Sequence, residues 1–141
     1  MTGASREELA WAAGFFDGEG YIGLSRRTIT WQKRNAAGEK VSGKRNYWRR
    51  YPAITVAQAS SPETLHRFNQ AIGNLGKVRG PYGPYATQKK VSYQLAIVGF
   101  EKIQAVVAML WEFLSSPKRK QAADTLSQYK EEEQNHKNAH N

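Results

Sequence analysis

The stretch Trp11-Ala12-Ala13-Gly14-Phe15-Phe16-Asp17-Gly18-Glu19-Gly20 constrains this chain more than any other. It sets two carboxylates, Asp17 and Glu19, two residues apart at the end of a short run of apolar and small residues, with glycines around them. Ser5 stands three residues before Glu8, the spacing of a capping box. Leu9, Ala12, Ala13 and Phe16 then recur at helical spacing. A first helix is therefore expected over 6–18, stopped by Gly18 and Gly20. Two oxygen-rich side chains near a helix end suit a hard divalent cation such as Mg2+. Such ions promote phosphodiester hydrolysis by lowering the pKa of water and stabilising the leaving oxygen. Taken alone, an Asp-x-Glu is far more often a solvated turn; its setting is what sets this one apart.

Part of that setting is charge. The 141 residues carry a formal net charge of +9. A surface this basic attracts phosphate polymers, with nucleic acid the first partner to consider and an anionic membrane the second. There is no cysteine, so disulfides and thiolate metal ligands are excluded. No run of about 20 apolar residues offers a membrane span, and no signal pattern opens the chain. An intracellular protein of one domain, 1–141, is expected, with a core over about 6–130 and a polar tail over 131–141.

After the first helix, residues 21–30 read as a strand rich in β-formers. The stretch 32–45 is polar and basic, a long hairpin tip or mobile loop, expected to order over 33–45 only on DNA. A second strand spans 48–59, with Pro52 marking an edge or bulge. Ser61-Pro62-Glu63 opens a helix over 62–73, the proline at its first position. Short strands over 77–79 and 91–98 flank a Gly-Pro turn at 80–84. Helices follow over 101–114 and 117–132, and the three glutamates from Glu131 read as a solvated face of a frayed tail. The order αββαββαα predicts an α+β fold of antiparallel hairpins. Helices cover one face of the sheet, and a bare face carries Arg26, Lys33 and Arg49.

Ala13, Gly14 and Gly18 leave little bulk along the first helix. Either the helix packs tightly on its own sheet, or a second copy packs against it about a two-fold axis. In the second case two Glu19 side chains meet, a costly arrangement unless a cation lies between them. The partner would then be a palindromic or near-palindromic duplex. Ala12, Ala13, Phe16 and Asp17 are the expected seam.

The segment Ala12 to Gly20 resembles the signature of the LAGLIDADG homing endonucleases. It departs with Ala12 in place of the usual Leu and Glu19 where many members carry Asp. The element order resembles the family too, over most of residues 8–130. One copy of the motif is similar to the single-motif members, which act as homodimers. The resemblance implies an antiparallel sheet forming a DNA-binding saddle. It implies Mg2+, with Mn2+ able to substitute, held by Glu19 and main-chain carbonyls near Gly18, and a more structural role for Asp17. The run Thr55-Val56-Ala57-Gln58-Ala59-Ser60 resembles the strand end where members place a glutamine, so Gln58 would orient water or phosphate. The run Phe113 to Ala122 resembles the region of the catalytic lysine, with Lys118 the better match and Lys120 the alternative. The implied reaction is hydrolysis of one phosphodiester in each strand of a long specific duplex, leaving short 3′ overhangs, in a gene of the intron-homing kind.

A two-stranded ribbon fits the major groove. The first hairpin offers Ser25, Arg26, Thr28, Thr30, Gln32, Lys33 and Arg34, then Lys44, Arg45, Asn46, Tyr47 and Arg49. The second adds Lys77, Arg79, Gln88, Lys89, Lys90 and Gln94. By strand alternation Arg26, Thr28, Thr30 and Gln32 form one candidate face, and Arg27, Ile29 and Trp31 the more buried one. Two rivals stand beside cleavage. One is a silent relative, an intron RNA maturase or a DNA-binding regulator. The other is a ribosomal-type RNA binder, which accounts for the charge but not for Asp17 and Glu19.

Overall fold

The structure, a computed structural model, describes residues 3–41 and 43–139. Residues 1 and 2 of the expected domain, residue 42 of the expected loop and residues 140 and 141 of the expected tail lie outside the described residues.

Helix α1 spans Arg6–Glu19 and runs directly into strand β1, Gly20–Trp31. Ser5 caps it, its Oγ accepting from the Glu8 N–H at 3.1 Å. The return half of the expected capping box is absent. The Glu8 carboxylate accepts instead from Arg67, with Nε at 3.2 Å. Gly18 lies inside the helix, and Gly20 ends it in an extended conformation. Glycine is required there because the Phe16 ring would come within 2.0 Å of a Cβ.

Strand β2 covers Arg45–Ala59, helix α2 Glu63–Ala71, β3 Lys77–Tyr82 and β4 Ser92–Val98. Helix α3 covers Phe100–Leu110, a 3-10 turn Trp111–Phe113, and helix α4 Ser116–Ala139. The sheet is antiparallel, in the order β1-β2-β4-β3. The α+β order αββαββαα is as the sequence predicts, with three differences of detail. Asn69 closes the turn after α2 by two bonds to the Gly76 backbone, of 2.9 and 3.0 Å. The 33–41 tip is itself a small hairpin, with an Arg34–Lys40 bridge and the Asn35 Oδ1 accepting from Ala37 and Glu39. Finally, α4 does not fray near 132. It continues to Ala139, free of Gly and Pro beyond Pro117, and Glu133 and Glu132 pair with Arg49 and Arg50 of β2.

Register decides which face of the sheet is which. Ile22 pairs with Ile54, Ile54 with Ile97, and Val56 with Leu95. All five are buried, so their common face meets the helices. There they pack with Ala12, Ala13 and Phe16 of α1, Leu65 and Phe68 of α2, and Ile103, Val106 and Leu110 of α3. Successive side chains of a strand alternate faces. Tyr21, Ala57, Lys77, Arg79, Gln94 and Val98 therefore occupy the opposite face, and all six are exposed.

Candidate active site and nucleic-acid interface

Glu19 is the last residue of α1 and is exposed. A helix C-terminus already carries about half a negative charge, so a carboxylate there calls for a compensating cation. The last turn of α1 supplies no basic residue. Lys118, from the first turns of α4, stands in: its Nζ donates to the Gly20 carbonyl at 2.8 Å and lies 5.1 Å from the Phe16 ring centroid.

Asp17 is occupied elsewhere. It accepts from the Ser115 N–H at 3.1 Å and from the Ser115 hydroxyl at 3.0 Å. Ser115 Oγ in turn accepts from the Lys118 N–H at 3.3 Å. Asp17 thus pins the start of α4 to the end of α1, and that junction sets Lys118 beside the motif. Lys120 lines the same cavity as Asp17 and Lys118 but is paired within its own helix. It bonds Asp124 at 2.7 Å, which holds its ammonium above its usual pKa. Gln58 is half-buried on β2, two residues beyond the Gly20–Val56 pair. That direction along β2 leads toward the end of α1, so the strand brings Gln58 to the same end of the sheet as Glu19.

Among the described residues no group of three or more His, Cys, Asp and Glu could hold a metal ion. One protomer offers the Glu19 carboxylate, nearby carbonyls such as that of Gly18, and the Gln58 amide. That set fits Mg2+ only in its usual habit of one or two carboxylates completed by water and substrate phosphate.

The expected dimer seam meets a different surface. Ala12, Ala13 and Phe16 are buried inside the protomer's own core, and Asp17 is bound to Ser115. The exposed residues of α1 include Gly14 and Gly18, with nothing within 4 Å of where a Cβ would sit. Packing against the sheet accounts for the alanines and leaves these two glycines facing outward.

The nucleic-acid candidates also divide. Counted from Ile22, Arg26, Thr28 and Thr30 share the core-side parity, while Ser25, Arg27, Ile29 and Trp31 share that of the open face. Of the set expected to be more buried, Arg27 and Trp31 are exposed and Ile29 is half-buried, in a cavity it shares with Tyr129 and Glu133 of α4. Arg26, Thr28 and Thr30 are nonetheless exposed, although α4 reaches this part of the ribbon, where Glu133 and Glu132 engage Arg49 and Arg50. The Arg26 guanidinium lies over the Trp48 ring at 4.1 Å. Gln32 donates its amide to the Val41 carbonyl at 2.5 Å, and Arg34 donates to that of Gly38 at 2.7 Å, so both brace the hairpin tip. Arg49 is held by Glu133. Lys33, Lys44, Arg45, Asn46 and Tyr47 are exposed around the tip. On the second hairpin Lys77, Arg79, Lys89, Lys90 and Gln94 are exposed, and Gln88 donates to the Lys90 carbonyl at 2.9 Å. Tyr21 and Ala57 complete the open face and were missed. Parity counted from Ile22 was the signal that could have found them.

Comparison with known proteins agrees with this architecture. No family model and no curated protein matches the chain. Among solved structures it is similar to the homing endonuclease I-CvuI, in complex with the I-CreI target in 2 mM Mg with DNA not cleaved. That match has 21% identity and a TM-score of 0.60, covering 89% of this chain and 67% of that one. It is also similar to the group I intron-encoded homing endonuclease I-CeuI complexed with DNA, at 16% identity and TM-score 0.59, covering 92% and 57%. A third is the LAGLIDADG meganuclease I-CpaMI bound to uncleaved DNA, at 18% identity and TM-score 0.55, covering 92% and 40%. The chain spans about two thirds of the first and less of the others. It has the fold of the LAGLIDADG homing endonucleases. Among the described residues no helix is long and apolar enough to cross a membrane.

Proposed function

We propose that this chain is a metal-dependent, site-specific DNA endonuclease that works as a homodimer on a long, near-palindromic duplex. One observation carries the reading. Lys118 donates to the carbonyl of Gly20, the residue after Glu19 at the end of α1, in a chain whose open sheet face bears Arg27, Lys77, Arg79 and Gln94.

In this reading two copies pack through α1 at Gly14 and Gly18, and each contributes Glu19 to a shared acidic centre. Glu19 and the Gly18 carbonyl would hold Mg2+. A cation bound there lowers the pKa of water and stabilises charge on the leaving oxygen. Lys118, held by the Gly20 carbonyl, places a positive charge where negative charge develops on the phosphate. Gln58 orients water or a phosphate oxygen. The open face lies in the major groove, where Arg27 and Arg79 suit guanine edges and Gln94 suits adenine. Short 3′ overhangs follow from the family's cutting geometry.

A second reading, a relative that binds nucleic acid without cutting, is favoured by the end of α1 keeping one carboxylate, Glu19, once Asp17 is bound to Ser115. A Mg2+-dependent screen of a randomised duplex library, with cut ends sequenced, separates the two. Cuts at one nearly two-fold-symmetric site support the endonuclease. Tight binding of one selected duplex or RNA, left intact under Mg2+, supports the second reading.

A further inference from the structure

We propose that the far end of the β1–β2 ribbon carries a second nucleic-acid site, an aromatic cavity that receives an unstacked base of a single strand. An open cavity there is lined by Trp31, Arg45, Tyr47, Trp48 and His136. Trp31 and Arg45 are cross-strand partners, and Tyr47 shares their face two residues along β2. Trp48 arrives from the other parity, and α4 supplies His136.

The rings are unusually wet. Trp48 is 55% exposed, although Arg26 already lies over it, and Trp31 is 47% exposed. Large rings gathered in water at one place mark a contact surface. The charge of the ribbon selects the occupant. Residues 32–50 hold seven Lys and Arg against a single acid, Glu39. Glu133 and Glu132 engage Arg49 and Arg50. Lys33, Arg34, Lys40, Lys44 and Arg45 remain on the same end of the ribbon. An aromatic cavity at the end of a cation-rich ribbon suits a chain that offers π faces and phosphates together. Bases inside a duplex hide their faces in the stack, whereas unpaired bases present them to aromatic and arginine planes. The occupant is therefore single-stranded, and DNA and RNA offer the same chemistry. The inference does not require the protein to cut.

The test is fluorescence anisotropy at one fixed salt concentration, with end-labelled oligothymidylate, oligouridylate and a mixed-sequence duplex. Trp48→Ala should weaken single-strand binding about 5- to 150-fold for one stacked base, with duplex binding unchanged. Trp48→Phe should recover most of the loss. Trp48→Leu, which keeps apolar bulk without a ring, should not recover it, and it serves as the variant if alanine fails to fold. Tighter binding of oligouridylate or of oligothymidylate assigns the strand to RNA or DNA. Single-strand affinity unchanged in Trp48→Ala and Trp48→Leu would overturn the proposal. So would an equal loss on the duplex, which would make the cavity part of the duplex interface.

Discussion

Lys118 and Lys120 stand two residues apart on α4, and the sequence alone leaves the choice between them open. Their surroundings separate them: Lys118 donates to the Gly20 carbonyl, and Lys120 is spent on Asp124. Lys118→Met should slow cleavage about 100-fold or more, the scale of losing one preorganised charge stabiliser. Duplex affinity should change far less. Lys120→Met should leave single-turnover rates near wild type, and the reverse ranking would reassign the role. Asp17 acts differently, by holding Ser115 at the start of α4. Asp17→Ala should cost about 1 kcal/mol of stability, as for a lost helix cap. Urea denaturation reads that cost, and activity falls with it because Lys118 is positioned through the same junction.

At the level of elements, α1 has two sides with separate duties. Its alanines and Phe16 belong to the protomer's core, while Gly14 and Gly18 are open. Gly14→Leu should give a monomer by sedimentation without lowering the melting temperature, since leucine favours helix over glycine. A dimer that survives this change would place the seam elsewhere. Most of the fold was legible before any coordinates, because helical spacing around Leu9 to Phe16 and β-rich runs around Ile22 and Ile54 are strong local signals. For the candidate site, residues can be nominated from the sequence, but the sides they occupy cannot. Which alanines face inward depends on where the sheet lies, and the parity of Arg26 and Arg27 on the register of Ile22. The length of α4 was missed because its hold on β2 comes from side chains about 80 residues away in sequence. Glu132 and Glu133, which read as a solvated face, engage Arg50 and Arg49. Both pairs are partly exposed, so each contributes little to stability. In the proposed DNA complex their larger effect would be to withhold two cations from phosphate. The Glu132→Gln, Glu133→Gln double variant should therefore bind duplex more tightly. Its plot of log affinity against log salt should steepen by up to about 2, for two released phosphate contacts. An unchanged slope would mean the arginines stay off the DNA.

For the whole molecule, the reading joins a basic open sheet to one acidic point per protomer. The +9 charge draws a polyanion to the surface, and the proposed site at the end of α1 would set Glu19 against it. In the proposed dimer, doubling the protomer about α1 would double that point and match it to the two strands of a duplex. The most direct measurement uses a duplex selected by binding, with wild type and Glu19→Gln incubated side by side in Mg2+. The account predicts that both proteins bind it as two chains per duplex and that only the wild type cuts both strands. Equal cutting by Glu19→Gln, or cutting by a single chain, would contradict it.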